Sequence, residues 1–268
     1  MVKPKFVYGI IGVNETNYGA KNASIWLICA EEVGKAVQRF AGRIHQTPVI
    51  TCQSIDKIAG CKVYMKCEHL QKTGSFKARG ALNAIQKMKD EGTVKGVVTH
   101  SSGNHGQGLA WAASESNLPC CVAVPRNAPP SKIEAMKSYG ARLELCEPTH
   151  KSSFLVKWGS RRSVYYILPA SLREDTCARL AKDLGYRVVE PFDDPNVICG
   201  QVSFLPKLFT DEEIRAALKL IWTRTKQRVE PSAAVPLAGL LKVSPSELGI
   251  NNVVLILCGG NVDLDFIP

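Results

Sequence analysis

Between residues 30 and 146 the chain alternates β-rich runs with stretches of helical period, and this alternation restricts the fold more than any other feature. Residues 31–42 predict a helix, because Val33, Val37 and Phe40 fall on one face. Residues 62–67 are a short β-rich run. Residues 75–90 return to helical spacing through Phe76, Ala81, Leu82, Ile85 and Met88, and 96–99 are strand-like again. The pattern continues with a helix over 107–116, a strand over 119–125, a helix over 131–139 closed by Gly140, and a strand over 141–146. Strands separated by helices of this length predict a parallel sheet covered on both faces.

The rhythm breaks over 150–169, which holds no acid and carries Phe154, Trp158, Tyr165 and Tyr166, and again over 200–209. Elsewhere a helix is expected over 173–185, a strand over 187–191, a long helix over 210–229 and a last strand over 252–258. Thr210 is placed to cap the long helix, with Asp211, Glu212 and Glu213 at the positive end of its dipole.

A chain of 268 residues, 45% hydrophobic and 22% charged, has enough apolar material for one large domain or two small ones. Its net charge of +10 raises a nucleic-acid reading. Residues 1–30 and 151–170 carry six of those ten charges, so the remainder is an ordinary surface and no nucleic-acid partner is expected. The longest apolar runs, 25–30 and 253–258, fall well short of the roughly 20 residues of a membrane span, so no membrane partner is expected either. Lys3 and Lys5 precede a short apolar stretch that turns polar by Asn14, which argues against secretion. The ten cysteines contain no C-x-x-C pair, and only Cys120 and Cys121 adjoin. That scatter predicts reduced, mostly buried thiols in a cytoplasmic protein, and the histidines do not join them at zinc-ligand spacing.

Three short segments carry chemistry. The first, Thr73-Gly74-Ser75-Phe76-Lys77-Ala78-Arg79-Gly80, sets a lysine at the start of a helix, where a solvated surface charge is the plain reading. The second, Ser101-Ser102-Gly103-Asn104-His105-Gly106-Gln107, follows a strand and precedes a helix. Small residues there expose backbone N–H groups at a helix N-terminus, an anion site or simply a tight turn. The third, Cys258-Gly259-Gly260-Asn261, ends the last strand. The glycines do not form the order G-x-G-x-x-G, no G-K-[ST] follows Gly74, and no G-x-S-x-G elbow occurs.

Together, "KTGSFKARGALNAI", "VTHSSGNHGQGLAWAA" and the Gly-Gly-Asn strand end resemble the fold-type II pyridoxal-phosphate enzymes of the serine racemase and serine/threonine dehydratase family. The resemblance covers about 30–149, 171–201 and 209–265. It implies a three-layer α/β/α parallel sheet with a smaller α/β domain. The large PLP-binding domain takes 30–67 and 149–268, the small domain takes 68–148, and 1–29 and 150–170 match nothing. It assigns Lys77 the Schiff base with pyridoxal 5′-phosphate, Phe76 a place behind the ring, Asn104 a hydrogen bond to the 3′-oxygen, Cys258 the pyridine nitrogen, and Glu230 of "VEPSAAV" a position near the ring. Ser101, Ser102, Gly103, Asn104 and His105 hold the substrate carboxylate. Lys77 removes the α-proton. Ser102 matches the serine that acts from the other face in racemisation, which favours a racemase over a plain dehydratase; a backbone donor in the loop is its other role.

Two departures qualify that expectation. Between "DDPNVICGQ" and Phe209 the family carries a long segment with a glycine-rich loop around the cofactor phosphate and an acidic site for a divalent cation; this chain has no run of three glycines. The large domain is therefore expected to be incomplete, the cation site deleted and the phosphate unanchored. About twenty basic and aromatic residues also intervene after Thr149. The expected activity is racemisation of serine and elimination of ammonia from serine or threonine, by a cytoplasmic enzyme whose assembly allows a homodimer. The alternatives are a catalytically inactive splice-type variant or partner subunit of the family, and a basic nucleic-acid-binding protein.

Overall fold

The computed structural model describes residues 30–147, 172–191, 194–199, 210–243, 245, 248–263 and 265–268. Its helices are α1 (Ala30–Arg39), α2 (Gln53–Ala59), α3 (Lys77–Glu91), α4 (Asn104–Ser114), α5 (Pro130–Ser138), α6 (Leu172–Leu184), α7 (Pro195–Cys199), α8 (Asp211–Leu220) and α9 (Pro231–Leu241). Its strands are β1 (Val49–Thr51), β2 (Lys62–Lys66), β3 (Val97–His100), β4 (Cys120–Pro125), β5 (Arg142–Cys146), β6 (Arg187–Val188) and β7 (Asn252–Ile256). The irregular stretches 150–169 and 200–209 lie outside the described residues. The described chain falls into two compact units, one comprising residues up to Asn83 and Pro195–Pro268, the other Ala84–Asp194.

The second unit is built on a four-stranded parallel sheet in the order β5-β4-β3-β6. Strands β3 and β4 are buried along their whole length, as expected of a parallel sheet covered on both faces. Neighbouring residues of β4 point to opposite faces. Cys121 and Ala123 pack with Val98 against Cys177 and Leu180 of α6, while Val122 lies under Gly106 of α4, with Met136 of α5 alongside. One helix on one face and two on the other make this unit an α/β/α sandwich. A Cβ at Gly106 would come within 2.6 Å of Met136 Sδ, so glycine lets α4 lie this close to its neighbours.

In the first unit the sheet order is β1-β2-β7. Here β2 and β7 are parallel as expected, while β1, a strand the sequence pattern did not announce, runs antiparallel to β2. Only Cys52, α2 and the Gly60 turn separate β1 from β2, too little chain for a parallel crossover. Gly60 adopts φ +70 and returns its N–H to Asp56 O, ending α2. Val63 and Met65 of β2 and Leu255 of β7 join Ile55 of α2, Leu218 of α8 and Leu237 of α9 in one apolar core.

The expected helix over 210–229 is also shorter than its pattern implied. Thr210 and Glu213 form a reciprocal capping box at its start. Regular helix ends at Leu220 and passes through a π-turn, Ile221–Thr225. Thr223 and Thr225 donate their hydroxyls to the carbonyls of Lys219 and Ile221, and Lys226 adopts φ +62, which stops the helix. The strand expected over 187–191 is limited to Arg187 and Val188, which pair with Val97 and Val98 of β3, and Val189 N–H adds one further bond to Val98 O at 2.9 Å. None of the described helices is long and apolar enough to cross a membrane.

Candidate active site

Lys77 is the first residue of α3. Ser75 and Phe76, predicted helical, are instead drawn into extended pairing with the end of β7. Ser75 bridges Gly259, Phe76 N–H donates to Cys258 O at 3.0 Å, and Gly260 N–H donates to Gly74 O at 3.0 Å. The segment carrying Lys77 is thereby laid along the segment carrying Cys258. Asn261 closes the arrangement by donating its side-chain amide to Thr73 O at 2.8 Å. Glu230, the N-cap of α9, accepts the Asn261 N–H at 2.9 Å and donates its own N–H to Gly259 O at 2.9 Å.

The turn before Lys77 is backbone-strained. Thr73 has φ +60 and Gly74 φ +69. A Cβ at Gly74 would lie 2.5 Å from Asn261 Oδ1, and moving that amide aside breaks its bond to Thr73. Gly74→Ala is therefore expected to lower stability by about 2 kcal/mol, read as a shifted urea midpoint.

Electrostatics sets the protonation of the two reactive side chains. Burial pushes the Lys77 amine down from 10.5 to about 8, against a smaller opposing pull from Cys258. A place at the positive end of α3 disfavours the ammonium further. Burial, reinforced by Glu230, pushes the Cys258 thiol up to about 11, so it stays neutral near pH 7. Phe76 presents its ring to Lys77 Nζ, 5.1 Å from the centroid. Ser75 Oγ and Thr73 Oγ1 are buried without hydrogen-bond partners among the described residues.

These residues fit the ring and aldehyde of pyridoxal phosphate. An amine near pKa 8 is partly unprotonated at neutral pH and can add to an aldehyde. A neutral thiol can face a pyridine nitrogen, and the buried hydroxyls offer polar atoms that still lack a partner. The structure thus brings Phe76, Lys77, Glu230 and Cys258 together within the first unit.

Ser101, Ser102 and Gly103 lie in the second unit between β3 and α4, and Asn104 and His105 are the first two residues of α4. Ser101 N–H donates to Ala123 O, and Gly103 N–H to Ser101 Oγ at 3.2 Å. His100 Nε2 lies 3.0 Å from Glu190 Oε2 and His105 Nε2 lies 3.2 Å from Val189 O, so the residues after β6 secure both ends of the loop. A Cβ at Gly103 would sit 3.6 Å from Lys132 Nζ, which places a cation beside the loop. Reasoning from sequence named Asn261 within the strand end Cys258-Gly259-Gly260-Asn261 but passed over Glu190 and Lys132, which carried no visible signal.

Among the described residues no group of three histidines, cysteines or carboxylates is placed to hold a metal. Cys61, Cys67, Cys120, Cys121, Cys146 and Cys177 are buried free thiols, and Cys52 and Cys258 are half-buried free thiols.

The sequence model of the family described as "Pyridoxal-phosphate dependent enzyme" matches residues 41–209. Serine racemase of Dictyostelium discoideum is 34% identical over 314 aligned positions, covering 90% of this chain and 97% of that protein. The beta-hydroxyaspartate dehydratase of Paracoccus denitrificans (strain Pd 1222) is 28% identical, covering 89% of this chain and 98% of that protein. The crystal structure of a pyridoxal 5′-phosphate-dependent aspartate racemase superposes with a TM-score of 0.74 at 29% identity, covering 90% of this chain and 98% of that one. The chain belongs to the pyridoxal-phosphate dependent enzyme family, with the mixed α/β, parallel-sheet architecture of fold type II.

The first of those alignments also contains positions with no counterpart in this chain. Ninety per cent of 268 residues is about 241, so about 73 of the 314 positions pair a residue of the Dictyostelium enzyme with nothing in this chain.

Proposed function

We propose that the chain is a racemase and ammonia-lyase for β-hydroxy amino acids, with serine and threonine as substrates, working in the cytoplasm. The observation that carries this reading is Lys77: a half-buried amine at the head of α3, held near pKa 8 and set beside a protonated Cys258. The named activities of the relatives, a serine racemase, a hydroxyaspartate dehydratase and an aspartate racemase, are proton transfers at Cα with or without loss of a β-substituent.

When bound, pyridoxal phosphate supplies the electron sink that makes the substrate's Cα–H acidic. Lys77, Phe76, Asn104, Glu230 and Cys258 are the residues that would hold it. Lys77 Nζ, unprotonated, takes the proton from Cα. Cys258 contributes a neutral partner for the pyridine nitrogen and so withholds the full positive charge an acid there would create. The backbone N–H groups at the head of α4, with Lys132 beside them, bind the substrate carboxylate. Ser102 is assigned the return of a proton in racemisation. If instead the β-hydroxyl leaves with a proton, hydrolysis delivers ammonia with pyruvate from serine or 2-oxobutanoate from threonine.

Gel-filtered protein incubated with pyridoxal phosphate is expected to retain a visible absorption band and to release keto acid and ammonia from L-serine or L-threonine. A colourless protein would overturn the reading. A coloured protein without turnover favours the second one, an inactive variant or partner subunit, for which the total of about 73 unmatched positions is the specific observation.

A further inference from the structure

The first turn of α3 carries two cations, Lys77 and Arg79, and no acid. Both stand at the positive end of a helix dipole, where a carboxylate belongs. That carboxylate comes from outside the helix. Glu68, in the short 3₁₀ turn Glu68–Leu70, has a side chain only 6% exposed. It receives Arg79 Nε on Oε2 at 2.6 Å and the second guanidinium nitrogen on Oε1 at 2.7 Å, a bidentate pair. Thr47 Oγ1 donates to the same Oε1 at 2.6 Å, and Lys66 Nζ donates to Thr47 O at 2.6 Å. Burial by itself would raise the Glu68 pKa, but Arg79 and Thr47 outweigh it and hold the carboxyl below its ordinary value. Arg79 also stands over the Phe40 ring, 5.9 Å from its centroid.

The pair closes a loop of chain that contains Lys77. Successive residues of an α-helix are about 100° apart around its axis, so Lys77 and Arg79 point about 200° apart. Fixing Arg79 onto Glu68 therefore turns Lys77 to the other side of the helix, the side on which Cys258 influences its charge. Both oxygens of Glu68 are engaged by Arg79 and Thr47.

We propose that Glu68 and Arg79 are the positioning pair for Lys77, setting the direction of its side chain. This rests on the reading of Lys77 as the amine that captures pyridoxal. Loosening the pair lets the first turn of α3 rotate, hydrates Lys77 and returns its amine toward the value of a solvated lysine.

The test is a pH series of pyridoxal capture, fixed with borohydride and located by peptide mass spectrometry, which needs no turnover. In the wild type the adduct on Lys77 should rise with a midpoint near pH 8. In Glu68→Gln and Arg79→Gln the midpoint is expected to move up by about one pH unit, tenfold less free amine at neutral pH, with Arg79→Lys intermediate. Should the single variants fail to fold, the uncharged double variant E68Q/R79Q and the milder Thr47→Val carry the same measurement. A folded variant of either kind with an unchanged midpoint overturns the proposal and leaves the pair a stability element. Absence of any Lys77 adduct in the wild type is a different failure: it sinks the reading of Lys77 itself.

Discussion

Lys77→Ala is expected to take up no pyridoxal phosphate covalently and to lose turnover by at least about a thousandfold, since it removes both the covalent attachment and the proton-transferring base. The substitution should not unfold the protein. Folding lowers the Lys77 pKa from 10.5 to about 8. Between those values the unfolded chain holds a proton that the native chain has lost, so native stability rises as pH climbs through that window. Below about pH 8 both states are protonated and the full cost of burying the ammonium is present. After allowance for the side chain's partial exposure that cost is on the order of 2 kcal/mol. Lys77→Ala should therefore melt at or above the wild type at pH 7, with the difference closing by about pH 10.5. Melting curves at the two pH values check this. A variant that melts well below the wild type at pH 7 would mean that the native state prefers the charged amine, and the reading of Lys77 as a base would fall.

The stretch from residue 96 to 146 was legible because its strands are apolar runs or, in β5, an alternation of polar and apolar residues, set off by helices and turns, and each helix holds its own period. Within the second unit the pattern and the packing agree to within a few residues. Where they part, a tertiary contact is the cause. Phe76 has helical spacing with the residues after it, yet its N–H is claimed by Cys258 O from the far end of the chain. Trp222 and Val229 share one periodic segment, but the Trp222 indole donates to Val229 O at 3.0 Å, which bends the chain back on itself after Lys226. No local window contains such partners. Of the site, the juxtaposition of the Lys77 and Cys258 segments was legible only through the family resemblance, since no period connects residues so far apart in sequence. Glu68 and Arg79 were not legible at all, because a buried bidentate pair has the same letters as two solvated charges.

Free pyridoxal is expected to be captured at Lys77 within about threefold as well as its 5′-phosphate, a gap of under 1 kcal/mol, once the hemiacetal that free pyridoxal forms with its own hydroxyl is allowed for. The reason lies in what the chain lacks. The resemblance places a glycine-rich phosphate cradle between residues 201 and 209, where no run of three glycines stands, and the Dictyostelium alignment leaves about 73 positions unmatched. A hydrogen bond to a charged group contributes about 1.5–3 kcal/mol net, so a cradle supplying two of them is worth two to four orders of magnitude in affinity. Returning the relative's segment at that point should leave capture of pyridoxal nearly unchanged and strengthen capture of the phosphate by about a hundredfold or more. Inorganic phosphate should then compete in the chimera and not in the natural chain. The lysine end of the site and the phosphate end are separable on this account, and the two aldehydes measure them separately. A natural chain that prefers the phosphate a hundredfold would show that another part of the protein supplies the cradle, and the missing segment would cease to explain any loss of activity.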